Sequence, residues 1–203
     1  MRRIDAEQAA DDKLVSATAE GDRMAFTVLF ERTQGSVYRF ALHMTGSPET
    51  ADDITQDVFL VVMRDAERYE KGRATVRAWL CGIARNFARR RRAADVLFTP
   101  MDEETEGQCE GTTKGDPSID MVRHQRIEAV RRAVLRLPFK YREVVVLCDL
   151  QEMSYVDAAG ALGCRVGTIR SRLHRGRAVL AEKLAVIEER EASMSARGSK
   201  CLA

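Results

Sequence analysis

The sequence predicts an all-α protein built as two small helical domains joined by a flexible linker. Three observations carry that prediction. Apolar residues recur at three-and-four spacing in successive segments on both sides of residues 95–117. The intervening stretch is rich in Asp, Glu, Gly, Thr and Lys and has no apolar periodicity after Phe98, which is the composition of an acidic, flexible connector. The one β-branched run, Val144 to Leu147, lies between helical segments and has no second strand candidate to pair with, so helix is the better reading.

Composition narrows the class. With 203 residues, 45% hydrophobic and 32% charged, the chain is large enough for one or two soluble domains with cores of their own. The net charge of +2 is uninformative, but its distribution is not: arginines gather in two blocks, while acids collect around residues 49–57 and 102–116. Met1 to Asp12 lacks the apolar run of a secretory signal, and no stretch approaches the roughly 20 apolar residues of a bilayer span. A cytoplasmic protein without membrane insertion is expected. Its five cysteines (Cys81, Cys109, Cys148, Cys164, Cys201) are scattered without a CxxC pair, and His43, His124 and His174 are far apart, so neither a disulfide framework nor a metal site is expected. A Gly-rich phosphate loop, an HExxH motif and a defensible Ser-His-Asp spacing are all missing, which argues against an enzyme and against a cofactor.

Taken in order, Asp11 or Asp12 can cap a short helix through Ala19, ended by Gly21. A longer helix follows, with Phe26, Leu29, Phe30, Val37, Phe40, Ala41 and Met44 on one face and Gly46 as its stop. Ser47 and Pro48 open the next as cap and first-turn proline. Its inward stripe is Ala51, Ile54, Val58 and Val62; the other face presents Asp53, Gln56, Asp57, Leu60 and Arg64, an acidic and partly apolar strip. Alone, such a strip is more often a solvated surface than a docking site.

After a polar loop at Lys71 to Arg73, Thr75 caps a helix whose apolar seam is Val76, Trp79, Leu80, Ile83, Ala84 and Phe87. Arg77, Arg85, Asn86 and Arg89 lie opposite, and the seam ends in Arg89 to Arg92. Arginines beside aromatic rings suit a single nucleic-acid strand, with guanidinium groups on phosphates and rings receiving unstacked bases. Trp79 and Phe87 are expected to be core over most of their area, while Tyr69, before the loop, is expected to be exposed. Past the linker, Asp116 and Pro117 restart a helix through Val122, Ile127, Val130, Val134 and Leu137 that stops at Pro138, and Phe139 to Leu150 follows. After Leu184 the polar tail is expected to fray.

The most informative stretch is Met153 to Leu180, which reads as two helices around a tight turn. Ser154 caps the first, which aligns Val156, Ala159 and Leu162; Gly163 makes the turn; the second turns Val166, Ile169, Leu173 and Leu180 inward. Its outer face carries Arg165, Thr168, Arg170, Ser171, Arg172, His174, Arg175 and Arg177, and no carboxylate occurs between Arg165 and Leu180. A helix entering the DNA major groove needs this: guanidinium groups for phosphates and guanine edges, and short hydroxyls that allow close approach.

The order of DDITQDVFL (Asp52 to Leu60), RAWLCGIARNFARRRR (Arg77 to Arg92), LRLPFKYREVVVL (Leu135 to Leu147) and VGTIRSRLHRGRAVL (Val166 to Leu180) resembles bacterial sigma factors of the extracytoplasmic-function class, over about residues 24–184. The resemblance implies an N-terminal extension with a short helix (1–23), a region 2 bundle (24–94), the linker (95–117), a region 4 helix-turn-helix (118–186) and a disordered tail (187–203). It implies that Asp53, Gln56, Asp57 and Phe59 lie in the block gripping the clamp of core RNA polymerase, with Phe59 open to a core role because the inward stripe adjoins it. Arg77, Trp79, Arg85 and Asn86 fall in the block that melts and reads the start-proximal promoter box. Arg170, Ser171, His174 and Arg175 match positions facing the upstream box, His174 standing where an aromatic is common. The implied partners are core RNA polymerase at its clamp and flap, promoter DNA both duplex and single-stranded, and an anti-sigma factor.

Physically, such a protein divides its labour between two weakly discriminating readers. Melting costs on the order of 1.4 kcal/mol per stacking step, and capture of extruded bases can offset it; duplex readout contributes about 1 to 3 kcal/mol per good contact. A linker of some 23 residues reaches roughly 75 Å at about 3.3 Å each, and two DNA turns span about 70 Å. Its acids, Asp102 to Glu110, are further expected to compete for the arginine blocks in the free protein. The alternative is a stand-alone helix-turn-helix regulator with an N-terminal sensor or dimerisation domain, which leaves the Asp53 to Asp57 strip and the Arg89 to Arg92 cluster unexplained.

Overall fold

A computed structural model describes the backbone of residues 10–98 and 119–199 and the side chains of 10–94 and 126–187. The elements in chain order are α1 (Asp11–Ala19), α2 (Arg23–Thr45), α3 (Pro48–Asp65), a 3₁₀ turn (Ala66–Arg68), α4 (Val76–Phe98), α5 (Ile119–Leu135), α6 (Phe139–Val145), a π turn (Val146–Leu150), α7 (Tyr155–Leu162) and α8 (Val166–Ser199). No strand occurs among the described residues. The all-α expectation holds, and the Val144 to Leu147 run is helical and wholly buried.

The helix boundaries follow local chemistry. The Asp22 carboxylate accepts from the backbone N–H groups of Met24 and Ala25 and so caps α2, a cap that the apolar spacing alone does not reveal. At the other end Gly46 takes φ 77°, the left-handed conformation that closes a helix, and its N–H donates to the Leu42 carbonyl. The Ser47 hydroxyl accepts from Thr50 N–H at 3.1 Å, with Pro48 in the first turn of α3. Asp11 and Asp12 sit inside the first turn of α1 rather than capping it; Ala10 is the cap residue.

In the N-terminal half α2 packs on α1, α3 and α4, burying Leu14, Leu29, Phe40, Ile54, Val58 and Leu80. In the C-terminal half α8 packs on α5, α6 and α7, burying Val134, Val145, Leu147, Ile169 and Leu173. The two halves are not held apart. One apolar core is continuous from Leu14 to Leu173, and α4 lies along α7. Gly82 of α4 makes this close approach possible, since a Cβ there would lie 2.9 Å from the Ala161 carbonyl oxygen; Gly160 of α7 would meet the Ala74 side chain at the same distance. The two helical domains are therefore packed against each other along α4 and α7.

Helix α4 runs through Phe98 and α8 through Ser199. Ile187, 5% exposed, explains part of the length of α8: it packs with Leu180 and Leu184 against Ala129 and Ala133 of α5. The segment holding Asp102 to Glu110, Asp116 and Pro117 lies outside the described residues.

Candidate functional site

The register set by Ser47 and Pro48 places Ala51, Ile54, Val58 and Val62 in the core at 0% exposure. The opposite face of α3 leaves Asp53, Gln56, Leu60 and Arg64 outside, with Asp57 half-buried. Leu60 is 62% exposed and Met63 61%, so apolar surface lies among the acids. Met63 was legible as the next residue of the same strip, three positions beyond Leu60. The guanidinium of Arg91, from the arginine cluster of α4, lies 3.4 Å from the Asp53 carboxylate and 3.9 Å from that of Asp57. Phe59 is corrected. At 3% exposure its ring stacks edge-on to Phe30 at 4.7 Å and faces Phe26 at 6.3 Å, so it is core and offers nothing to a partner.

On α4 the Thr75 hydroxyl accepts from Ala78 N–H at 3.3 Å, fixing where the helix starts. Tyr69 is half-buried rather than exposed, with its ring 5.4 Å from that of Trp79. Its hydroxyl lies 2.8 Å from Asp12 Oδ1 and 3.0 Å from the Ala74 carbonyl oxygen, and its one proton serves these acceptors. Burial, followed by the Asp12 hydrogen bond and charge, pushes its pKa up to about 12. Asn86 and Arg89 are exposed, as expected; Trp79 is half-buried. The two remaining arginines face the C-terminal half. Arg77 Nε donates to Ser36 Oγ at 2.7 Å and its Nη2 to the Gln151 carbonyl oxygen at 2.8 Å. Arg85 Nε donates to Glu143 Oε2 at 2.7 Å. A cavity of about 380 Å³ opens beside them, between Tyr69, Trp79, Arg85 and Asn86 and the α7–α8 turn at Gly163.

In the helix-turn-helix, Ser154 Oγ accepts from Asp157 N–H at 3.1 Å, and Gly163 takes φ 62° to make the turn. Arg165, Arg170, Ser171, His174 and Arg175 are exposed along α8, and Thr168 is half-buried. Arg172 departs from the expected outer face: its Nη1 donates to Glu143 Oε1 at 3.1 Å. Arg177 is exposed but paired with Asp149 at 2.6 Å. Val156 also departs from the inward stripe, being 67% exposed, because α7 turns Ala158, Ala159 and Leu162 inward instead. Sequence reasoning missed Glu143, Gln151 and Ser36. The one signal for Glu143 was a lone carboxylate at the edge of the apolar run Val144 to Leu147.

No group of His, Cys, Asp and Glu suited to a metal ion occurs among the described residues, and no described helix is long and apolar enough to cross a membrane.

A helical bundle bearing an acidic-apolar strip, followed by a helix-turn-helix with a carboxylate-free cationic face, defines a two-domain transcription protein. The Sigma-70 region 2 family model matches residues 29–95 and the Sigma-70, region 4 model matches residues 127–180. The chain is 35% identical over 179 residues to the ECF RNA polymerase sigma factor SigM of Mycobacterium tuberculosis (strain ATCC 25618 / H37Rv), covering 87% of this chain and 86% of that one. It is 34% identical over 176 residues to SigE of Mycolicibacterium smegmatis, covering 82% of this chain and 65% of the relative's length, just under two thirds. Among solved structures it is similar to CnrH, in complex with the cytosolic domain of CnrY (TM-score 0.66, 25% identity, 88% of this chain and 99% of that one). It is also similar to RpoE of Bartonella quintana, in complex with the anti-sigma factor NepR (TM-score 0.63, 26% identity, 79% and 97% covered). The chain belongs to the ECF sigma factors of the sigma-70 family, the initiation factors that direct RNA polymerase to promoters.

Proposed function

We propose that the work of initiation is divided in this chain among three surfaces. Asp53, Gln56, Asp57 and Leu60, joined by Met63, take the clamp of core polymerase; Tyr69, Arg77, Trp79, Arg85, Asn86 and Arg89 take the melted start-proximal strand; Arg165, Thr168, Arg170, Ser171, Arg172, His174 and Arg175 take the upstream box as duplex. The domain limits follow the same division: residues 24–94 as region 2 and 118–186 as region 4. The observation that carries this reading is that one chain exposes both Leu60 and Met63 amid carboxylates on α3 and Arg165, Arg170 and Arg175 along α8. A plain helix-turn-helix regulator has use for the second surface and none for the first.

The protein acts by binding alone, in the cytoplasm, where polymerase and promoters are. An anti-sigma factor is a fitting negative partner, since CnrH and RpoE were solved bound to CnrY and NepR. In vitro transcription with purified chain and sigma-free core polymerase on a promoter library tests the reading. New start sites are expected only when both proteins are present. Specific binding to a palindromic operator without polymerase, and no new start sites, would favour the stand-alone regulator.

A further inference from the structure

The assignment of Arg77 and Arg85 to the melted strand meets a fact of the closed fold: both guanidinium groups are already occupied. Arg85 and Arg172 hold the two oxygens of the Glu143 carboxylate, at 2.7 and 3.1 Å, and Glu143 is 1% exposed. Arg77 is fixed by Ser36 on one side and by the backbone of Gln151 on the other, while the Gln151 side-chain amide donates to the Ser36 carbonyl at 2.9 Å. Two guanidinium groups on one carboxylate is the coordination a backbone phosphate would receive.

We propose that Glu143 and Gln151 of the C-terminal domain form an internal lock that takes the place of nucleic acid on Arg77 and Arg85, and that the free chain is thereby unable to engage the melted strand. The inference rests on the reading of Arg77 and Arg85 as strand-binding residues. The masking is selective. The α3 strip and the exposed arginines of α8 remain open to solvent in the same closed body. The free protein thus presents its polymerase-docking strip and the upstream-reading arginines other than Arg172, while withholding Arg77 and Arg85 from unpaired bases.

The chemistry makes such a lock reversible. A carboxylate taken out of water is held there only while its guanidinium partners stay, and the gain from pairing roughly offsets the loss of hydration, so the triad specifies the closed arrangement more than it stabilises it. The apolar contact around it depends on glycines. At Gly82 a single added methyl would meet the Ala161 backbone oxygen at 2.9 Å, and backbone cannot swing aside as a side chain can. A partner that grips the two domains at separate points can therefore shift the equilibrium by its preference for the open form.

The test uses the full chain and two openers that act differently. Glu143→Gln removes the charge that holds Arg85 and Arg172. Gly82→Ala wedges the interface without touching a polar group, and alanine is the better helix former inside α4, so the N-terminal domain keeps its fold. Fluorescence anisotropy measures binding of a mixed-sequence single-stranded DNA, and small-angle scattering measures the radius of gyration. Both openers are expected to enlarge the chain and to tighten single-strand binding by about tenfold, the factor by which a form open one-tenth of the time understates its affinity. Arg77→Ala with Arg85→Ala should abolish that gain. Openers that enlarge the chain without tightening it on single strands overturn the lock, and so do openers that change neither quantity. The arginine double variant assembled with core polymerase separates the two failures: loss of promoter opening keeps the assignment of Arg77 and Arg85 intact while the lock falls, whereas unchanged opening refutes the assignment itself.

Discussion

Phe59 and Leu60 are adjacent on α3, and the structure gives them opposite surroundings whose consequences a pair of truncations separates. Phe59 is 3% exposed, with Phe30 and Phe26 around its ring, so Phe59→Ala removes a fully buried aromatic and leaves a cavity. Such a change costs about 3 to 5 kcal/mol. For a chain of this size each kcal/mol lowers the melting temperature by about 2 to 4 °C, so a fall of roughly 6 to 20 °C is expected. Leu60 is 62% exposed, and its truncation should change stability by no more than about 0.5 kcal/mol. If the polymerase clamp covers it, the remaining apolar area is worth roughly 1 to 2 kcal/mol, which is about five- to thirtyfold in Kd. Thermal unfolding followed by circular dichroism reads the first quantity, and competition with a labelled sigma factor for core polymerase reads the second. A Phe59→Ala protein that melts like the parent yet fails to bind polymerase would refute the division, because it would make the buried ring the contact and the exposed leucine a bystander.

Charge reversal at Asp53 and Asp57 should weaken holoenzyme assembly without lowering the melting temperature appreciably, since both carboxylates lie at the surface and their ion pairs with Arg91 are long; native gel shift of core polymerase checks this. Arg170→Ala or Arg175→Ala should each cost about 1 to 3 kcal/mol in upstream-box binding if the side chain reads a base edge, and should lower the salt slope if it meets a phosphate, distinguished by anisotropy at two salt concentrations. Burial, then the charges of Arg131 and Arg39, hold the His43 pKa below its ordinary 6.5. A depressed histidine gives stability that is present above pH 6.5 and is lost as the pH falls through the folded value, so acid unfolding should begin earlier in the parent than in His43→Gln, read by urea titration from pH 7 to pH 5. The Cys81 thiol is 1% exposed and burial pushes its pKa up to about 12, so it should resist alkylation at pH 8 in the folded chain and react at once in denaturant, as mapped by mass spectrometry.

What was legible in the sequence is what local chemistry determines. Ser47-Pro48 announced α3, and the spacing of Ala51, Ile54, Val58 and Val62 put the right face inward because an amphipathic helix has only one apolar side. Ser154 and Gly163 bracketed α7 for the same reason. Where two faces of a helix are both partly apolar, spacing alone leaves the buried side undetermined. Phe59 continues the inward stripe of α3 by one position and Val156 begins α7 before its register is set, so neither could be placed without knowing what packs opposite. Tyr69 read as exposed because its partners, Asp12 and Trp79, lie far away in sequence.

The least legible feature is also the one with the most consequence for how the protein works. An arginine on a helix that carries more arginines reads as a nucleic-acid contact, and nothing local signals that a carboxylate from a segment beyond the linker can claim it first. Yet the two readings of Arg85 need the same physical property, a guanidinium able to grip an oxyanion at two points, so the residue that makes a good phosphate ligand also makes a good ligand for Glu143. The competition is built into the choice of side chain. A protein that must hold unpaired DNA inside polymerase, but not roam the chromosome holding it, gains by giving its own arginines an oxyanion to hold in the meantime. The carboxylate that serves such a lock best is one buried enough to exclude water yet held only while its partners stay, and Glu143, 1% exposed between Arg85 and Arg172, is placed for that part.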